Sequence, residues 1–201
     1  MSLIYRYKPE KDRAILPLAS VLAKAGVTPN LVTVSGLIIS MIAGVFAALG
    51  HLYIGIALFF LSACLDALDG SLARATGRCT EFGRYLDSVC DRLSELVFIV
   101  GAVVGGSPSS ALLVVAGSMA LLLARVLVHR KGLRSDVARF SRPERLALII
   151  IGLLVPYPIN VVIFLAAGTL SSISALQVLK ASRRSDMNVG RVEPVVSLQN
   201  I

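Results

Sequence analysis

Asp66, Asp69, Asp87 and Asp91 are the residues of this 201-residue chain best placed to do chemistry. Asp66 and Asp69 stand three residues apart and Asp87 and Asp91 four apart. On helices each pair lies on one face. Two helices joined by a short connection can therefore aim all four carboxylates at one point. Converging carboxylates repel unless cations lie between them, and hard divalent ions such as Mg2+, Mn2+ or Ca2+ take such oxygen ligands. Arg74, five residues past Asp69, adds a guanidinium suited to a phosphate or diphosphate oxygen. Gly70, Ser71 and Ala73, with Gly83 further on, let a ligand or a neighbouring backbone come close. Together these residues outline a site for phosphoryl chemistry. Bound cations polarise a diphosphate and neutralise its leaving group, while one carboxylate acts as general base toward an acceptor hydroxyl.

The elements that must position these residues are apolar. The chain is 56% apolar and only 16% charged, with a mean hydropathy of +0.80. A soluble domain has about 45–50% apolar and about 25% charged residues. Apolar runs recur along most of the length, which excludes a soluble core with one anchor. Six spans are expected, at residues 31–49, 52–72, 85–105, 111–128, 142–155 and 159–179. The Asp12–Ala25 stretch has Ile15, Leu18, Val21 and Leu22 at helical spacing. It is too short to cross a bilayer and reads as an amphipathic juxtamembrane helix. The expected organisation is an N-terminal segment over residues 1–27, an all-α six-helix membrane domain over 28–181, and a polar tail over 182–201.

The net charge of +8 would suggest nucleic acid in a soluble protein. Here the basic residues flank apolar spans, so they point to the membrane surface and no nucleic acid is expected. All Lys and Arg fall in the N-terminal segment, the second connection, the fourth connection and the C-terminal segment, with their flanks. By the positive-inside rule the termini and the acidic residues face the cytoplasm, as in a multi-pass plasma-membrane protein. Cys64, Cys79 and Cys90 form no CxxC pair, which makes zinc and disulfide readings weak. The N-terminus is polar and does not read as a cleavable signal peptide.

Asp66-x2-Asp69-Gly70-x2-Ala73-Arg74-x8-Gly83-x3-Asp87-x3-Asp91 matches every fixed position of the signature of the CDP-alcohol phosphotransferase family, which the chain thus resembles. Pro29-Asn30-Leu31-Val32-Thr33 resembles the family's start to its first span. The resemblance implies six transmembrane helices with an N-terminal juxtamembrane helix. It implies transfer of a phosphatidyl-type group from a CDP-linked lipid to a small polar alcohol, with release of CMP. It also implies two Mg2+ or Mn2+ ions and a homodimer. Asp66, Asp69 and Asp87 would hold one ion, and Asp66, Asp87 and Asp91 the other, with Asp91 also taking the acceptor's proton. Gly70, Ala73, Arg74 and Thr80 would face the CDP group, and Pro29, Asn30, Leu31, Val32 and Thr33 its cytidine side.

Thr80 has a plainer reading as a helix cap, and Asp66 and Asp69 as ion-pair partners of Arg74 and Arg78 at the membrane edge. Arg125, Arg142 and Arg145 are candidate ligands of a phosphorylated acceptor, with cytoplasmic anchoring as the alternative. Arg142-Pro143-Glu144-Arg145 resembles the family's inositol-phosphate-using branch. Leu123 stands where that branch often shows Lys before Ala124-Arg125. Inositol phosphate, glycerol phosphate, another polyol phosphate and an unphosphorylated alcohol all remain open. A divalent-cation transporter is the competing function, since intramembrane acids suit it too.

Overall fold

The computed structural model describes residues 17, 21–23, 26–77, 79–130 and 142–189, without the side chains of 129, 130 and 182–189. Six α-helices over 29–189 make up the bundle: α1 Pro29–Ala48, α2 Leu52–Ala75, α3 Glu81–Val104, α4 Leu112–Arg130, α5 Arg142–Leu154 and α6 Ile159–Val189. A short 3-10 turn, Ser109–Ala111, leads into α4. The basic connection over 131–141 and the segment beyond 189 lie outside the described residues, as does most of Asp12–Ala25. Residues 17 and 21–23 of that stretch are helical. Leu22 and Ala23 pack against the buried pair Val32 and Leu72, while Val21 is exposed.

Local signals set the helix ends. Thr28 caps α1, its hydroxyl oxygen accepting from Leu31 N, and Pro29 fills the first turn. Thr80 caps α3 by accepting from Gly83 N at 2.9 Å. Between α2 and α3, Gly77 takes a φ of 66°, a left-handed conformation that costs glycine little. Two helices therefore continue beyond the expected spans. α2 runs on to Ala75, and α3 begins at Glu81 rather than at Tyr85. α6 likewise continues into the expected polar tail, as far as Val189. No Gly or Pro lies between Leu179 and Val189 to stop it.

Helices α1, α2 and α3 form one layer, in which α1 packs against both others. Glycines bring the backbones into contact. A Cβ on Gly101 of α3 would fall 2.1 Å from the Gly44 carbonyl oxygen of α1. One on Gly55 of α2 would fall 2.8 Å from the Ala43 carbonyl oxygen. Such close approach through small residues is how helices associate where no water drives them together. Hydroxyls add polar ties: Ser40 Oγ donates to the Ser94 carbonyl at 2.9 Å, and Ser62 Oγ to the Gly36 carbonyl at 2.8 Å. Phe59 of α2 stacks on Phe98 of α3 with ring centroids 4.2 Å apart. On the other side α6 packs against α4 and α5, and α3 meets α4. The main core runs between the two groups, through Ala43, Phe98, Val114, Ile149 and Phe164.

Four helical stretches are long and apolar enough to cross a membrane: Pro29–Ala48, Leu52–Ala75, Ser109–Val128 and Ile159–Ala181. The chain is thus an all-helical membrane protein among its described residues. The other two helices differ for stated reasons. α3 carries Asp87, Asp91, Arg92 and Glu95. α5 has 13 residues, against about 20 for a full span.

Candidate active site

Three of the four acidic residues, Asp66, Asp69 and Asp87, converge, and Asp91 is joined to Asp66 through Arg142. Asp66 and Asp69 project from the last turns of α2, and Asp87 and Asp91 from the first turns of α3. Carboxylate oxygens of Asp66, Asp69 and Asp87 all lie within 4.8 Å of one another. Magnesium holds oxygens at about 2.0–2.1 Å, which puts ligands on opposite sides of the ion about 4 Å apart. Three carboxylates this close therefore fit a hard divalent cation. Asp69 is buried at 4% exposure, and Asp66 and Asp87 are half-buried.

Asp69 is oriented from a third helix. The Thr33 hydroxyl of α1 donates to its Oδ2, and Thr33 Oγ1 also lies 3.1 Å from the Pro29 carbonyl oxygen. Thr33 is thus placed to orient the Asp69 carboxylate. Val32 is buried and packs on Leu72, while Leu31 is exposed. Asn30 does reach the α2–α3 connection: a Cβ on Gly83 would lie 3.4 Å from its Oδ1 and 3.0 Å from Thr80 Oγ1. Asn30, Thr80 and Gly83 therefore meet beside the acids, with Thr80 serving as cap. Arg74 is exposed beside Gly70 and donates from Nη2 to Ser71 Oγ at 3.1 Å. A Cβ on Gly70 would touch only Arg74 Nη1, at 3.4 Å, so the glycine leaves this side open to a ligand. Ala73 is half-buried next to it, and Arg78 lies outside the described residues.

The three arginines grouped by sequence have three different settings. Arg142, first residue of α5, reaches the acids directly. Its Nη1 pairs with Asp66 Oδ2, and its Nη2 lies 2.7 Å from Asp91 Oδ1. Arg145 points elsewhere. It is 1% exposed and grips Glu95 of α3, with Nη2 at 2.7 Å from Oε1 and Nε at 3.2 Å from Oε2. Arg125 is half-buried on α4. An open acceptor pocket lined by all three is therefore not what the bundle presents, because a buried carboxylate claims Arg145.

Glu95 was not singled out from sequence. It accepts from Ser118 Oγ of α4 at 2.6 Å and from Arg92 Nη1 at 3.2 Å, besides Arg145. Charges buried this deeply are stable only when paired and hydrogen-bonded. Arg92, 6% exposed, is accordingly an ion-pair partner of Glu95. The available signal was an acid four residues past Asp91, inside an otherwise apolar run. Cys64 and Cys79 are exposed, Cys90 is buried, and all three are free.

The comparisons with known proteins agree with this geometry. The family model for CDP-alcohol phosphatidyltransferase matches residues 26–178. The chain is 38% identical over 145 residues to a phosphatidylinositol phosphate synthase of Mycobacteroides abscessus, covering 68% of this chain and 66% of that protein. It is 32% identical over 161 residues to an archaetidylinositol phosphate synthase of Methanothermobacter thermautotrophicus, covering 79% and 81%. Among solved structures it is similar to that of Mycobacterium tuberculosis phosphatidylinositol phosphate synthase in complex with manganese and citrate. That likeness has a TM-score of 0.73 at 27% identity, over 84% of this chain and 88% of that one. The matched region spans both acid-bearing helices, and the acids converge where the signature requires them, so the chain belongs to the CDP-alcohol phosphatidyltransferase family.

Proposed function

We propose that this protein transfers a phosphatidyl-type group from a CDP-linked lipid to a hydroxyl of inositol phosphate and releases CMP. The observation that carries this reading is the meeting of Asp66, Asp69 and Asp87 within 4.8 Å, with a guanidinium, Arg142, on the open side. The first is a cation site, and the second is suited to a phosphate. Relatives that use inositol phosphate, by their names, support the acceptor. One of them is named for a phosphatidyl product and the other for an archaetidyl product, so both CDP-diacylglycerol and CDP-archaeol are candidate donors.

Asp66, Asp69 and Asp87 hold one divalent cation, and Asp66, Asp87 and Asp91 a second. Bound Mg2+ or Mn2+ supplies charge neutralisation for the diphosphate and for the departing CMP. Arg74 holds a diphosphate oxygen, while Asn30, Gly70, Ala73 and Thr80 border the nucleotide. Asp91 accepts the proton of the attacking hydroxyl. The new bond joins that oxygen to the lipid-side phosphorus, and the bond from this phosphorus to the CMP oxygen breaks.

α3 and α5 complete a six-span bundle. Val104 of α3 and Leu154 of α5 are exposed like the lipid-facing residues of the other helices, while Asp91, Arg92 and Glu95 of α3 are buried. Both termini and the site face the cytoplasm, and the protein works as a homodimer in the plasma membrane. The basic residues on one set of connections support this orientation.

CMP release by the purified full chain tests the reading. CDP-diacylglycerol or CDP-archaeol is offered with Mg2+ and a panel of inositol phosphate, glycerol phosphate, inositol and serine. Fastest release with inositol phosphate is expected, lost with EDTA and in Asp91→Ala. Equal rates with unphosphorylated acceptors would overturn it, as would Mg2+ flux across vesicles without CMP release.

A further inference from the structure

We propose that Arg142 is a built-in plug of the second cation position, displaced as that ion binds and then turned toward the acceptor's phosphate. The inference rests on the two-ion reading given above. One guanidinium bridges the two acid-bearing helices, with Nη1 on Asp66 and Nη2 at 2.7 Å from Asp91. Those two carboxylates belong to the second ion's ligand set. The first ion's set, Asp66, Asp69 and Asp87, shares only Asp66 with them. A guanidinium and a divalent ion carry like charge and cannot both sit on these oxygens. The first ion therefore meets little competition and the second must evict an arginine.

The geometry gives Arg142 a way out. Its side chain keeps 21% exposure, so it borders the open face of the site. Among the described residues its Nε is buried without a hydrogen-bond partner. Within them only the ion pairs hold the side chain, at the cost of an unsatisfied donor. Arg145, one turn further along the same helix face, is locked on Glu95 at 1% exposure. That lock fixes the start of α5, so the movement belongs to the Arg142 side chain and not to the helix.

Two consequences follow for the reaction. Until the arginine leaves, Asp91 is ion-paired and is a poor proton acceptor. A phosphate that captures the released guanidinium removes the plug's return path, so ion and phosphate each strengthen the other's binding. The donor lipid is then attacked when acceptor is present, and water is left without a base.

Mn2+ binding to the detergent-solubilised full chain, read from the free-ion electron spin resonance signal without any CDP-lipid, tests this. Wild type is expected to show a tight and a weak class of ion. In Arg142→Gln the weak class should tighten about tenfold, within the usual range of coupling between sites. Saturating inositol phosphate should tighten it in wild type and not in the variant. Two classes with unchanged affinities in the variant would overturn the plug and leave the two-ion reading standing. A single class in wild type would overturn both. If Arg142→Gln does not fold, wild type decides alone: a weak class indifferent to inositol phosphate overturns the proposal.

Discussion

Arg145 of α5 and Glu95 of α3 meet side by side in the interior, at 2.7 and 3.2 Å, with neither side chain more than 1% exposed. They stand 50 residues apart in the chain and tie the helix that carries Arg142 to the one that carries Asp87 and Asp91. Removing one member of a buried pair costs about 3–5 kcal/mol, because the other is left charged in an apolar setting. The two members are not equivalent. Glu95→Gln leaves Arg92 and Arg145 facing each other with no carboxylate between them. Arg145→Met leaves Glu95 still held by Arg92 and Ser118. Thermal unfolding in detergent should place Glu95→Gln well below Arg145→Met, and the reverse order would deny Glu95 its central place.

Thr33 of α1 donates to Asp69, a proposed cation ligand. Thr33→Val keeps the shape and removes the hydroxyl that donates to Asp69. Losing a group that orients a ligand typically lowers metal affinity about 10–100-fold. The Mg2+ concentration for half-maximal CMP release should rise accordingly, with little change in the KM for CDP-lipid. A rise in that KM alone would return Thr33 to the nucleotide wall.

Arg74 lies on the open side next to Gly70, and its planar fork suits two diphosphate oxygens where an ammonium does not. A hydrogen bond to a charged group contributes about 1.5–3 kcal/mol, so Arg74→Lys should raise the KM for CDP-lipid by about tenfold or more. The KM for inositol phosphate should stay near wild type. Equal damage toward both substrates would indicate a structural role for Arg74.

Gly101→Ala tests the α1–α3 contact. The added methyl would meet the Gly44 carbonyl oxygen at 2.1 Å, and neither partner is a side chain that can turn away. Forced overpacking costs about 1–3 kcal/mol and more where backbone must yield. Unfolding should move to clearly lower temperature. Gly50→Ala, at a turn with open space around it and a φ of 85°, should cost about 1 kcal/mol through strain alone.

The acid cluster was legible because local rules suffice for it. Spacings of three and four set each pair on one helix face, and a Gly77 turn with a Thr80 cap keeps the two helices close. The partners of the arginines were not legible. Whether Arg142 meets Asp66, 76 residues away, or open solvent depends on helix crossings that no local pattern encodes. Grouping Arg142 with Arg145 followed helix periodicity correctly. It missed that a buried Glu95 would claim only the second. Of the six expected spans, four are long and apolar enough to cross a membrane; α3 carries charges, of which Asp91, Arg92 and Glu95 are buried, and α5 has 13 residues. The tail was read from its polarity, whereas the helix persists because nothing in its sequence interrupts it.

The glycine-mediated contacts of α1 with α2 and α3 have a mechanical outcome. Backbones that touch leave no side chain to flex between them, so these three helices behave as a single stiff plate bearing all four aspartates. The α4–α6 seam is built the same way, since a Cβ on Gly117 would fall 2.8 Å from the Gly168 carbonyl oxygen, so room for a substrate must come from side chains such as Arg142 and not from either seam.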